Sequence, residues 1–446
     1  MTSWVYSLRT WLCCVPRVCF KGPRLDEDTT MRPFEGLNVL DFFWVVIGPM
    51  TTSYLAEYGA TVVRIESRGR PEVLRTAPPF GGGQRGLNRS AYYANYNVNK
   101  YGFGLNMGHP KAMEIVKRFV PWADVVTENF TPGTMEKWGL GYEVLRALKP
   151  DLIMISASML GHGGPYSRQP GFGPVLASLS GMTDLTGWPD RDPSTPYGAY
   201  TDFVVPRFAL PTLLAALDYR RRTGQGQYID ISQLEAALHF MAPPVLDYAN
   251  NGHVHTRVGN RHPSVAPHGV YPCAGADRWC AIACTTEAEW QSLCQAMGAP
   301  AWASEARFAS MFSRKQHEEA LDALLSTWTQ QHEAFTLMHA LQRAGVPAGA
   351  VQTNKDLMED PQMLQRGAFV YMEHPGVGRH PVQRSEFRLS DVPAAFHWSA
   401  PNIGQHTVQV CKEMLGMSDE EITQLINDNV LEVDTGEDTS PSYRAQ

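Results

Sequence analysis

Five short turns carry the residues of this chain most able to do chemistry: 44–49, 64–69, 97–100, 128–133 and 156–165. Each falls at the carboxyl end of an apolar run that reads as a strand, the edge at which open α/β sheets place their ligands. Their glycines, asparagines and basic residues offer backbone N–H groups and cations, which an anionic ligand needs. The formal net charge is -7 and acidic and basic residues are interspersed, so a concentrated basic face for nucleic acid is excluded. Anionic ligands must therefore be met by local groups.

The other reactive residue types point to no metal. Cys13, Cys14, Cys19, Cys273, Cys280, Cys284, Cys294 and Cys411 lack the paired spacings of a zinc site or a redox CxxC, and they read as reduced thiols of a cytoplasmic protein. Cys280 and Cys284 lie in a run that reads as a strand. His253, His255, His262 and His268 cluster around Gly259-Asn260, but their irregular spacing in a loop favours structural hydrogen bonds. Arg220, Arg221 and Arg222 close a helix, where basic residues suit the helix dipole.

These turns need a scaffold, and the surrounding pattern supplies one. Leu37–Phe43 reads as a strand, Gly48-Pro49 opens a helix through Glu57, and Ala60–Glu66 reads as a second strand, which together make a βαβ unit. Helix 110–119, strand 124–128, helix 142–148 and strand 152–156 continue the alternation. The predicted fold is α/β: a large Rossmann-like doubly wound domain plus a smaller α+β domain. No GxGxxG follows the first strand, so the dinucleotide phosphate turn is absent.

With 446 residues, 43% of them hydrophobic, the chain suits two domains. The expected division is a disordered leader over 1–30, the first part of the large domain over 31–225, a linker over 226–245, the small domain over 246–350, and a linker returning to the large domain over 351–446. The leader carries Arg9, Arg17, Lys21 and Arg24 before any acidic residue, without a cleavage pattern, and Met31 is expected to begin the fold. No apolar run approaches the roughly 18 to 20 residues of a membrane span.

From about Phe34 to His406 the chain resembles the family III CoA-transferases, the group containing formyl-CoA and carnitine CoA-transferases. The resemblance rests on short matches in order, among them Ile47-Gly-Pro, Glu128-Asn-Phe with Pro132-Gly133, Trp138-Gly-Leu-Gly-Tyr, Gly163-Gly-Pro, Gly345-Val-Pro-Ala-Gly and Gly404-Gln-His-Thr. It implies two subunits threaded through each other like links of a chain, with coenzyme A as substrate and no permanently bound cofactor. By position it places Val46 and Ile47 beside the pantetheine arm, and Arg68, Leu105 and Lys137 around the adenosine phosphates. Asn129, Phe130 and Thr131 would lie under the diphosphate, and Ser158 to Gly161 along the same path.

Members of this family attack the acyl-CoA carbonyl with an aspartate in a Gly-Tyr-Asp segment, and covalent catalysis divides a poor carboxylate-for-thiolate exchange into easier steps. Here the segment reads Gly171-Phe172-Gly173-Pro174, so Gly173 occupies the aspartate position and no catalytic residue is assigned. The nearest downstream carboxylate, Asp184, is 11 residues on, about 16 Å along a helix. Val46 likewise replaces a polar residue that would approach the reacting centre.

The leading expectation is therefore one subunit of a heteromeric CoA-transferase, closest to the benzylsuccinate type. A homologous sister subunit would supply the aspartate, and CoA would move from succinyl-CoA to a substituted succinate. The alternatives are an α-methylacyl-CoA racemase-like isomerase, for which His162 is the one histidine between Trp138 and Pro165, and a non-catalytic CoA-binding protein.

Overall fold

Buried β-branched runs make the centre of the molecule, a computed structural model that describes residues 31–436. The expected leader, with Cys13, Cys14 and Cys19, lies outside the described residues. β1 (Asn38–Phe42), β2 (Thr61–Glu66), β3 (Lys100–Leu105), β4 (Val125–Glu128), β5 (Ile153–Ser158) and β6 (Tyr228–Ser232) run parallel in the order β3-β2-β1-β4-β5-β6. Val39, Val62, Val63, Val125, Val126, Ile153 and Ile155 are wholly buried, as strands covered on both faces require. Strand order steps outward in both directions from β1, so the topology reverses between β1 and β4. That reversal opens a crevice at their carboxyl ends.

Three antiparallel strands, β7 (His268–Pro272), β8 (Trp279–Ala283) and β9 (Ala348–Ala350), form a separate small sheet. Tyr271 and Ile282 pack there against Trp290, Leu321, Leu325 and Leu341. β10 (Phe369–His374) and β11 (Gly378–Gln383) make a hairpin. The chain then returns to the large sheet, where β12 (Leu431–Glu432) pairs antiparallel with β3.

One turn is placed differently from its sequence reading. Residues 97–100 lead into β3 rather than closing a strand, and Lys100 is fully buried, its Nζ donating to the Pro49 carbonyl at 3.0 Å and to Asn97 Oδ1 at 3.0 Å. The run Lys100-Tyr-Gly-Phe-Gly-Leu is poor in strand formers because of its glycines. They serve close packing of the returning tail: a Cβ on Gly102 would lie 2.7 Å from the Asn402 carbonyl oxygen, and one on Gly104 would lie 2.3 Å from that of Glu432. Among the described residues no helix is long and apolar enough to cross a membrane.

Candidate functional site

After β1 the chain turns sharply over residues 43–47, and that turn is held by its neighbours. A Cβ on Gly48 would fall 2.0 Å from Phe43 Cβ, so only glycine fits there. Val45 has φ +62, a rare conformation for a β-branched residue. The Asn129 side chain accepts from the Trp44 N–H and donates to the Trp44 carbonyl, both at 2.8 Å, while Glu72 accepts from the Val45 N–H at 2.6 Å. Arg64 braces Glu72 at 2.7 Å, with both side chains fully buried.

An ionic network extends beneath this turn. Asp41 accepts hydrogen bonds from Arg64, Lys100, Thr52 and Thr127. Burial pulls the Lys100 ammonium down to about 8, against the pull of Asp41. Arg75 donates twice to Glu66 at 2.7 Å and lies 3.6 Å from the Tyr93 ring centre. Burial alone would raise the Glu66 carboxyl, but Arg75 and Arg64 outweigh it and hold the group at about 2.

Together these turns wall a cleft of about 1100 Å³ along the crevice. Of the sequence-predicted residues, Ile47, Asn129, Phe130, Thr131 and Ser158 face it. Phe130 meets Trp44 and Trp138 edge to face, with ring centres 5.5 and 5.2 Å apart, and the three make an apolar wall suited to a planar base. Arg70 is the one cation in the wall among the described residues, its guanidinium 5.8 Å from the Trp44 ring centre. Ser158 Oγ is buried and among the described residues has no hydrogen-bond partner, which leaves its hydroxyl to donate to a bound ligand.

The other predicted residues lie outside the wall. Val46 turns into the core with Leu74, Tyr93 and Tyr96, and Val45 takes the cleft side. The Arg68 N–H donates to Glu432 at 2.6 Å and its guanidinium lies 3.6 Å from Asp434, while Arg70 turns to the cleft. Leu105 is core, and Asn106 and Met107 beyond it reach the wall. Lys137 is exposed on the short helix Thr134–Lys137, next to the lining residue Trp138. Gly161 has φ +79, and a Cβ there would fall 3.3 Å from Ser232 Cβ. Neighbouring residues of a strand or turn point in different directions, so a match by position settles the segment before it settles the side chain.

Gly173 begins the helix Gly173–Leu179 and is buried. The space its side chain would take is filled: a Cβ there would lie 2.7 Å from Ala199 Cβ and 2.8 Å from Ala199 Cα. Asp184 sits on a separate helix, Met182–Leu185, bonded to Arg257 at 3.1 Å and 66% exposed, outside the wall. The acid that sequence reasoning missed is Asp202, on the helix Tyr200–Val204, which lines the cleft with Met159, Phe172 and Gln233. Burial pushes its carboxyl up to about 7, against a hydrogen bond from the Gly173 N–H. Its one sequence cue is a carboxylate directly before the apolar run Phe203-Val-Val.

The histidines stand away from the cleft. His162 Nε2 lies 3.8 Å from Glu128 and Nδ1 lies 3.1 Å from the Tyr228 hydroxyl, outside the wall. His253 and His255 both hydrogen-bond Asp247, at 2.7 and 2.8 Å, and the three offer ligand atoms within 4.8 Å of one another. His268 bonds the Asn260 carbonyl.

Comparison with known proteins agrees with this architecture. Residues 34–407 match CoA-transferase family III. The chain is 35% identical over 394 residues to the succinyl-CoA–D-citramalate CoA-transferase of Chloroflexus aurantiacus, covering 88% of this chain and 97% of that protein. It is 30% identical over 412 residues to the β subunit of the succinyl-CoA–L-malate CoA-transferase of the same organism, covering 91% and 100%. A CAIB/BAIF family protein from Brucella suis superposes with a TM-score of 0.79 at 32% identity, over 86% of this chain and all of that one. With the whole sheet, the crevice and nearly the full length matched, the chain belongs to CoA-transferase family III and is a CoA-transferase.

Proposed function

We propose that this chain moves coenzyme A from succinyl-CoA to a substituted succinate. The observation that carries the reading is the cleft at the switch point, walled by Arg70, the Trp44–Phe130–Trp138 edge and the start of helix Ile47–Glu57. Such a wall suits a phosphorylated, adenine-bearing thioester, since a helix start favours phosphate and the rings favour the base. Citramalate and malate, named for two relatives, are both succinates substituted at C2, as is benzylsuccinate. A shared four-carbon diacid acceptor accommodates all three.

Assembly from two interlocked chains is part of the proposal. Helix Ala242–Asn251 has no buried residue, and Val245, Leu246 and Tyr248 on it are more than half exposed, an apolar face that a second chain would cover. The described cysteines are free and buried, in keeping with a cytoplasmic setting.

Gly173 leaves two sources for the attacking carboxylate. One is a sister chain with aspartate at that position, as in a heteromer of the benzylsuccinate type, favoured by similarity to a protein named as a β subunit. The other is in this chain, at Asp202. The experiment is to incubate the purified chain, alone and co-expressed with homologous subunits, with succinyl-CoA and citramalate, malate or benzylsuccinate, and to identify the new thioester by mass spectrometry. Transfer to one of these acids supports the proposal; binding of succinyl-CoA without transfer to any acid under either condition defeats it.

A further inference from the structure

We infer that Asp202 is the nucleophile of this chain, brought by the tertiary fold to the place that Gly173 leaves without a carboxylate. Asp202 presupposes the transferase reading and makes the sister chain's aspartate unnecessary.

The space beside Gly173 is the first reason. The direction in which a side chain would project is taken by Ala199, so the aspartate of the family position has no room and the segment that fills the space leads directly to Asp202. That segment is docked on Gly173: the Thr201 hydroxyl donates to the Gly173 carbonyl at 3.2 Å, next to Asp202 in the chain. A glycine at 173 and a carboxylate at 202 are thus parts of one arrangement.

The second reason is how little holds the carboxylate. Asp202 is 3% exposed, and among the described residues it makes no ion pair. The other acid in the wall, Glu66, is gripped by two arginines and is too well satisfied to attack a carbonyl. Glu128, also buried, lies outside the wall and accepts from the Phe130 N–H at 2.8 Å. A desolvated carboxylate without an ion-pair partner has its charge undiminished, which suits it to attack a neutral thioester.

The step balances without any co-reactant. An Asp202 carboxylate oxygen bonds to the thioester carbonyl carbon and the C–S bond breaks, giving a mixed anhydride and CoA thiolate. The thiolate then attacks the Asp202 carbonyl carbon of the anhydride and succinate leaves as its carboxylate. An aspartyl-CoA thioester remains. The acceptor carboxylate runs both steps in reverse, regenerating the Asp202 carboxylate, with no net proton or electron transferred.

The test uses the full chain, succinyl-CoA and isotopically labelled succinate, since exchange of label into succinyl-CoA needs no other acceptor. Hydroxylamine is added during exchange to convert an activated aspartate to its hydroxamate, which peptide mass spectrometry locates. The expected result is exchange by the isolated chain with the hydroxamate at Asp202. Asp202→Asn should lower exchange at least a thousandfold while binding CoA as the unmodified chain does and unfolding at no lower temperature. Exchange with the modification elsewhere, or exchange that survives Asp202→Asn, overturns Asp202. Bound CoA with no exchange until a sister chain is added also overturns it but leaves the transferase reading standing. Failure of the folded chain to bind CoA or succinyl-CoA brings down the reading on which Asp202 depends. Trapping on the unmodified chain decides the matter even if Asp202→Asn fails to fold.

Discussion

Glu66 and Asp202 are carboxylates in the wall of one cleft, 4% and 3% exposed, yet they are held in opposite ways. Glu66 accepts from Arg75 twice and from Tyr93, lies 3.4 Å from Arg64, and is held at about 2. Asp202 has the Gly173 N–H and is pushed up to about 7 by burial. Full pairing turns a buried charge into a strut: Glu66, with Arg64 and Glu72, fixes the turn that carries Trp44 and Val45 into the cleft. Sparse pairing leaves a charge that the folded state barely tolerates, the usual condition of groups kept for reaction.

The comparison breaks most decisively by exchanging each acid for its amide. Asp202→Asn should remove transferase activity by about 10³-fold or more, some 4 kcal/mol of barrier, without loss of stability. Steady-state kinetics beside denaturant unfolding would show it. Glu66→Gln should behave inversely, destabilising the fold by about 3–5 kcal/mol because the buried Arg75 loses its carboxylate partner, with the activity of the folded fraction largely kept. Equal effects of the two changes on stability would erase the distinction.

Acid–base behaviour sharpens the same contrast. Glu66, lowered in the folded state, contributes stability at neutral pH that is lost as pH falls from about 4.5 to about 2, roughly 3 kcal/mol in all. Asp202, raised in the folded state, has the opposite sign. The fold binds its proton better than the unfolded chain does, so stability falls as pH climbs from about 4 to about 7, by roughly 4 kcal/mol. The stability advantage of Asp202→Asn over the unmodified chain should therefore widen between pH 5 and pH 7.5 in denaturant titrations. Since the attacking form is the carboxylate, kcat/KM should fall about tenfold for each pH unit below about 7.

Smaller effects test the geometry around these acids. Gly173→Ala should cost about 1–3 kcal/mol by overpacking against Ala199, and should lower kcat by displacing the segment that carries Asp202. Arg70→Ala should raise KM for succinyl-CoA about tenfold, the equivalent of one phosphate contact, whereas Arg68→Ala should change it less because Arg68 is engaged with the returning tail. A larger KM effect from Arg68 would move the phosphate site toward β12.

Much of the scaffold was legible because alternation of apolar runs with glycine turns is a local signal. β1, β2, β4 and β5, with the turns at residues 44–49 and 128–133, follow from it and bring Ile47, Asn129, Phe130 and Thr131 to the cleft. β3 escaped because Gly102 and Gly104 make a strand read as a loop, and their reason is contact with residues some 300 positions away. Arg70 and Arg68 are alike in sequence. Only the pairing of Arg68 with Asp434 separates them.

The sequence by itself determined the family, the doubly wound sheet and the absence of a carboxylate at position 173, since each is written in residue types and their order. Which side chains face the cleft was decided by packing, because a shift of one residue turns a side chain to the opposite face. The role of Asp202 is the clearest case. Nothing in the spacing between residues 173 and 202 links them, and only the folded chain sets Ala199 against Gly173 and so carries a desolvated carboxylate to the wall.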